Sequence, residues 1–348
     1  MNEVQQNPTP YIIPETSVTK PRLGFLGVGW IGLNRLKAIA RSEMADVAVL
    51  CDVSERRLTK ASDRLPDSLA VFDPEEFFSI DLDGIVIATP NAFHAEQSIR
   101  ALEKGMAVFC QKPLGRNAAE TSEIIETAKK ADKLLGVDFS YRFTHFKLIY
   151  DLIRSGELGE IYSASLVFHN AWGPDKKWFY DPQISGGGCV LDLGIHLADL
   201  ALWGLDFPEI TSVNSSLFSK GKPVTESGGQ AEDFAAAKIT TEEGTSIQLE
   251  CSWNLPAGQD AVIEATFYGT KGGACFRNVN GSFFDFRAEH LKGTERKVLA
   301  DPPDNWEGRA VLNWLKKLSA GSGFDKETEQ YMKTARVIDQ IYKNGKTD

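Results

Sequence analysis

The run Gly27-Val28-Gly29-Trp30-Ile31-Gly32 constrains this chain more than any other feature. It is a GxGxxG segment placed where an apolar strand, Arg22–Gly27, hands over to a helix, Ile31–Ala40. The first glycine allows a tight bend, the second lets the backbone approach a pyrophosphate, and the third lets helix and strand pack closely. The helix N-terminus adds amide donors and partial positive charge. Asp52 ends the next apolar run, Ala45–Cys51, twenty residues beyond Gly32. A carboxylate there can accept both adenosine ribose hydroxyls and repel a 2′-phosphate. The expectation is a dinucleotide site favouring NAD over NADP, with Arg56 and Arg57 near enough in sequence to soften the preference.

The same rhythm continues to Val137. Strands Leu69–Phe72, Gly84–Ala88, Met106–Cys110 and Leu134–Val137 alternate with helices Glu75–Ser79, Phe93–Glu103 and Asn117–Lys130. That alternation indicates βαβ units and a doubly wound parallel sheet covered on both faces. From Ile161 to Leu299 the pattern changes to about eight β-rich runs separated by turn signals such as Glu243-Gly244, which implies a mainly antiparallel sheet. One long helix, Gly187–Trp203, interrupts them, and helical stretches Trp306–Ser319 and Lys326–Lys343 close the chain. The fold class is therefore α/β, and 348 residues suit two domains. The expected division is a loose tail at 1–20, a Rossmann domain at 21–140 and an α+β domain with a large open sheet at 141–325. A C-terminal helix in 326–348 is expected to pack back on the first domain.

Charge and cysteine usage exclude several classes. The 38 Lys+Arg stand against 48 Asp+Glu, and a net charge of -10 repels nucleic-acid phosphates. No uninterrupted apolar run reaches about 18 residues, so no membrane span is expected. The five cysteines are scattered without a CxxC pair, which reads as free thiols and no metal site. The first twenty residues lack a basic n-region and an apolar h-region, so no secretory signal is expected and the setting reads as reducing and cytoplasmic.

Two clusters carry chemistry. Lys112 follows the fifth strand at its carboxyl end, where open α/β sheets bind ligands, and Thr89-Pro90-Asn91 with His94 terminates the preceding strand at the same edge. The bland alternatives are a surface lysine and an ordinary helix N-terminal histidine. Behind Ser185-Gly186-Gly187-Gly188, an otherwise apolar helix carries Asp192, His196 and Asp199 at i, i+4 and i+7. That spacing sets all three within an arc of about 60°. A polar stripe on a buried helix needs a cleft or partners. His196 suits proton transfer near neutral pH, and Asp192 one turn away can orient it. Otherwise the stripe is a structural network. Trp172, Trp178, Phe179 and Tyr180 offer aromatic faces for a sugar ring or simply pack their loop, and Lys176 and Lys177 read as solvated.

Through GVGWIG with Asp52, ATPNAFHAE, the Gln111–Pro113 QKP and the Gly186–Asp199 segment GGGCVLDLGIHLAD, residues 20–345 resemble the Gfo/Idh/MocA family of glucose–fructose oxidoreductase and inositol dehydrogenase. The resemblance implies NAD(P)-dependent oxidation of a sugar or cyclitol hydroxyl, or reduction of the matching ketone. It also implies a homodimer or homotetramer built through the C-terminal sheet. By residue-wise transfer it makes Lys112, Asp192 and His196 catalytic. Cofactor contacts are expected at Gly27, Gly29, Trp30, Ile31, Gly32, Asp52, Thr89, Pro90, Asn91, His94 and Gln111. Substrate contacts are expected at Lys112, Arg142, Trp172, Trp178, Asp192 and His196. An NAD-dependent glycosidase of the same fold and a non-catalytic NAD-binding regulator are the alternatives. One position departs: the family usually has Glu-Lys-Pro, and this chain has Gln111-Lys112-Pro113. A glutamine carbonyl still accepts hydrogen bonds from ribose hydroxyls, so Gln111→Glu is expected to alter NAD affinity only modestly.

Overall fold

The computed structural model describes residues 20–225 and 229–347. Apart from Lys20, the expected tail lies outside the described residues. The first sheet comprises β1 (Arg22–Leu26), β2 (Asp46–Cys51), β3 (Leu69–Val71), β4 (Gly84–Ile87), β5 (Ala107–Cys110) and β6 (Leu135–Val137). All are parallel, in the order 3-2-1-4-5-6. Every residue of β4, β5 and β6 is buried, as apolar runs covered on both faces should be. Alternation divides the core into two layers. Phe25, Val86 and Phe109 pack with Leu36 and Ile39 of the helix Trp30–Ser42 and with Trp314, whereas Leu26, Ile85 and Ile87 join the larger core on the other side. Trp314 belongs to the helix Arg309–Ser319, so this late segment returns to the first sheet.

The second sheet comprises β7 (Ile161–Asn170), β8 (Ile210–Ser219), β9 (Lys222–Pro223), β10 (Phe234–Thr241), β11 (Ser246–Ser252), β12 (Ala261–Gly269), β13 (Gly273–Asn278), β14 (Phe286–Lys292) and β15 (Glu295–Ala300). Their order is 15-14-13-12-7-11-10-8-9. The β7–β11 pair is parallel and the other pairings are antiparallel. Side chains alternate: Ala235, Ala237 and Ile239 of β10 face the core while Lys238 faces out. The last helix, Gln330–Gly345, touches both halves. The Ile341 carbonyl accepts from Ser215 of β8 at 2.8 Å, and Asp339 accepts from the Ala118 amide at 3.0 Å.

The central helix departs from expectation. In place of one α-helix over Gly187–Trp203, a π turn covers Val190–Gly194 and an α-helix follows over Ile195–Gly204. Its start is clamped by buried Glu232, whose carboxylate accepts from the Gly188 amide at 3.0 Å, the Val190 amide at 2.9 Å and the Tyr342 hydroxyl at 2.9 Å. The glycine run is a packing requirement of that clamp. A Cβ on Gly187 would lie 1.9 Å from the Tyr342 hydroxyl, and one on Gly188 2.0 Å from the Glu232 carbonyl. Although no uninterrupted apolar run reaches this length, Pro182–Gly204 is 23 residues long and contains an 18-residue window of mean hydropathy 1.2, long and apolar enough to cross a bilayer. Of that window 78% is buried inside the protein.

The glycine loop shows the separate roles expected of its second and third glycines. A Cβ on Gly32 would sit 2.1 Å from the Gly27 carbonyl, whereas one on Gly29 meets nothing within 4 Å. Gly32→Ala should therefore cost about 1–3 kcal/mol of stability through forced overpacking. Gly29→Ala should stay within about 0.5 kcal/mol of wild type. Denaturant unfolding of both variants checks this, and equal midpoints would contradict it.

Candidate active site

A cavity of about 830 Å³ lies along the carboxyl edge of the first sheet, between it and the second. Its position is the switch point of a doubly wound sheet, where β1 and β4 run side by side and their connections leave in opposite directions. At one end stand Asp52, Val53, Arg57 and Pro74; at the other stand Lys112, Asp192, His196, Trp178 and Trp306. Gly27, Gly29, Trp30, Ile31, Thr89, Pro90, Asn91, His94 and Gln111 also border it. Gly32 does not; it is buried under the loop, where its missing Cβ lets the Gly27 carbonyl approach.

The dinucleotide end is organised by backbone amides. Asp52 is 7% exposed, and its carboxylate accepts from the Val28 amide at 3.0 Å and the Ser54 amide at 2.9 Å. Arg57 approaches the same carboxylate at 3.9 Å, as the sequence spacing suggested. The open space over Gly29 is the room a pyrophosphate needs to reach the helix N-terminus, so these residues fit a dinucleotide. Thr89 donates to Gln97 at 2.7 Å, and the Asn91 amide donates to the Ser185 carbonyl at 2.7 Å, pinning the loop before the glycine run to the first sheet. Both ring nitrogens of His94 are engaged, with the Pro113 carbonyl at 2.7 Å and the Thr89 carbonyl at 2.8 Å. This histidine shapes the wall and has no free donor for a ligand.

At the far end the expected stripe divides. Lys112 Nζ donates to the Asp192 carbonyl at 2.6 Å and to its carboxylate at 2.7 Å, while the Trp253 indole donates to the second carboxylate oxygen at 3.1 Å. Asp192 thus holds the lysine, not the imidazole expected from the i, i+4 spacing. The cause is the π turn, which changes the angular step between Asp192 and His196. Asp199 turns elsewhere and forms a bidentate pair with Arg142 at 2.7 and 2.5 Å, under the rings of Phe139, Trp203, Phe207 and Tyr331. Arg142 is therefore committed outside the cavity, contrary to its expected substrate contact. Trp172 is also outside, 63% exposed with its indole on Asp260 at 3.1 Å. Trp178 lines the cavity, stacked on Phe179 with centroids 3.8 Å apart, and Lys176 borders it as well.

His196 is buried against Tyr141, edge to face with centroids 4.8 Å apart, and its Nδ1 has no partner among the described residues. Burial, followed by the charges of Lys112 and Arg35, pushes its pKa well below the ordinary 6.5. The imidazole is neutral at pH 7. Burial and then Asp192 push the Tyr141 hydroxyl upward, so it stays protonated as a donor beside the same space. Sequence reasoning missed Tyr141, Arg35, Asp138, Ser140, Trp306, Phe283 and Phe284, all of which border the cavity. Two of them carried a usable signal. Asp138 follows β6 at the edge where Asp52, Thr89 and Lys112 follow theirs, and Arg35 falls on the buried face of its helix.

Residues 22–139 match the oxidoreductase family with an NAD-binding Rossmann fold (Gfo/Idh/MocA), and residues 146–275 match the Gfo/Idh/MocA C-terminal domain. The D-glucoside 3-dehydrogenase of Escherichia coli is 26% identical over 341 residues, covering 94% of this chain and 95% of that protein. The myo-inositol 2-dehydrogenase of Thermotoga maritima is 28% identical over 257 residues, covering 72% and 73%. Among solved structures, levoglucosan dehydrogenase with NADH and levoglucosan has a TM-score of 0.80 at 20% identity, covering 93% of this chain and 97% of that one. A 3-ketoreductase from Actinomadura kijaniata with NADP and TDP-benzene has a TM-score of 0.81 at 19% identity, covering 94% and 98%. These two likenesses establish the fold.

The neutral His196 sets an acid limit, because burial lowers its pKa. As pH falls below about 6.5 the unfolded chain binds protons that the folded chain refuses, so stability present above that pH is lost. His196→Asn should lose less stability than wild type between pH 7.5 and pH 5, read as the shift in denaturant midpoint. Equal losses would show that His196 is not held neutral.

Proposed function

Because this chain belongs to the Gfo/Idh/MocA oxidoreductase family and is an NAD(P)-dependent oxidoreductase of sugar or cyclitol CH–OH groups, we propose that Lys112, His196 and Asp192 carry the reaction, and that NAD is the preferred cofactor. The observation that carries this reading is the meeting of Lys112, at the end of β5, with Asp192 beside a neutral His196 in the same cavity as the glycine loop.

When bound, the nicotinamide supplies the hydride acceptor for a carbinol carbon, or the donor for the matching ketone. The chain's own residues handle the proton. Two of the three ammonium donors of Lys112 are spent on Asp192, which aims the third into the cavity. There it stabilises negative charge developing on the substrate oxygen. Neutral His196 accepts the hydroxyl proton during oxidation and returns it during reduction. Asp192 holds the lysine in place. Trp178 and Phe179 on one side, with Phe283 and Trp306 on the other, present apolar faces to sugar C–H groups and exclude water.

The preference for NAD rests on Asp52, already buried and fixed by two amides, so a 2′-phosphate would meet a carboxylate that cannot move away. Arg57 is 42% exposed and free to turn, which limits the discrimination. The outward-facing side of the second sheet, with Tyr162 58% exposed, is the surface proposed for a homodimer or homotetramer. Five buried free cysteines support a reducing, cytoplasmic setting.

Calorimetric titration should show binding of NAD in the absence of substrate, tighter than NADP. Tighter NADP binding would overturn the role given to Asp52. Lys112→Ala and His196→Ala should each lower turnover by about 10²–10⁴-fold while the proteins stay folded. A screen of free sugars, glycosides and cyclitols, read by absorbance of the reduced cofactor, supplies the assay. Product formed with no accumulation of reduced cofactor would instead favour the glycosidase.

A further inference from the structure

Next to the proposed reacting groups lies a buried polar cluster for which the reaction has no stated use. Asp138 follows β6 and is 1% exposed. Its Oδ2 accepts from Arg35 Nε and from Gln111 Nε2, both at 2.5 Å, and its Oδ1 accepts from the Ser140 hydroxyl. Arg35 is 3% exposed and also donates through Nη2 to Ser140 at 2.9 Å. All four residues border the cavity, and Gln111 directly precedes Lys112.

An ionised carboxylate only accepts hydrogen bonds, so the end of the Gln111 amide that meets Asp138 must be its NH₂. The carbonyl oxygen is thereby fixed on the other side. We propose that Asp138 is a positioning residue, which holds Gln111 with its carbonyl oxygen presented to the dinucleotide cavity and neutralises Arg35 behind it. The cofactor then meets an uncharged acceptor of fixed orientation. This inference rests on the reading of the cavity as the dinucleotide site.

The arrangement reverses the expectation that Gln111→Glu is mild. A glutamate would set a second carboxylate against Asp138 with only the Arg35 guanidinium beside them, and two carboxylates that close cannot both stay ionised. The other charged and titratable groups facing this point do not remove the conflict. Lys112 is committed to Asp192, His196 is held neutral by burial and then by the charges of Lys112 and Arg35, and burial holds the Cys110 thiol protonated, with Asp138 adding to the effect.

The test compares wild type, Gln111→Glu, Asp138→Asn and the double variant by dinucleotide titration and unfolding midpoint from pH 5 to pH 9. At pH 8, Gln111→Glu should bind at least about tenfold more weakly and unfold earlier. Both losses should shrink as pH falls, because the folded carboxylate pair takes up a proton above the unfolded carboxylate range. Asp138→Asn should also bind more weakly, since Arg35 loses its counter-charge. The double variant again sets one carboxylate against one amide and should regain most of the affinity. Wild-type affinity and midpoint for Gln111→Glu at pH 8, or a double variant no better than the sum of the singles, would overturn the proposal. A wild-type protein that binds no dinucleotide overturns the proposed function, whereas a pH-independent midpoint difference for Gln111→Glu overturns this inference alone.

Discussion

The ion pair between Lys112 and Asp192, at 2.7 Å, is the interaction on which the rest of the molecule turns. One partner stands at the carboxyl end of a strand buried along its whole length, and the other in a π turn clamped by Glu232 and Trp253. Each side chain of the pair is 18% exposed, deep enough that desolvation offsets much of the attraction. Its consequence is geometric. The pair fixes where the first sheet's edge meets the second sheet's core helix, and the cavity is the space left between them.

Charge in that cavity follows one rule. Asp52 is satisfied by backbone amides, Lys112 by Asp192, and Arg35 by Asp138. Unpaired charge in a water-poor site is expensive, so each has a partner before any ligand arrives. Apart from Arg35 Nη1, which has no hydrogen-bond partner among the described residues, what stays uncommitted is neutral: the imidazole Nδ1 of His196 and the protonated phenol of Tyr141. Those are the groups able to respond to a substrate oxygen without disturbing the frame.

Most of the frame was legible because it obeys local periodicity. The six parallel strands and their helices follow from apolar runs, and Asp52 and Lys112 follow from their places at strand ends. Periodicity failed at the central helix, where Glu232 and Tyr342, 42 and more residues away in sequence, impose a π turn that no spacing rule contains. An ideal α-helix through Asp192, His196 and Asp199 gives Asp192 the wrong partner, because Asp192 lies inside the π turn. Asp199 shares the regular α-helix with His196, and its pairing with Arg142, 57 residues away in sequence, is a tertiary contact that no spacing rule contains. Asp138 obeys the strand-end rule, but its partners Arg35 and Gln111 lie 103 and 27 residues away in sequence, beyond any local pattern.

The central claim is that Asp192 works through Lys112, holding its ammonium where substrate charge develops. Steady-state turnover of Asp192→Asn, with a dinucleotide titration on the same preparation, tests it most directly. The account predicts a fall in turnover of about 10²-fold or more, with dinucleotide affinity unchanged. Turnover at the wild-type level would contradict it, since the lysine would then need no aspartate to do its work.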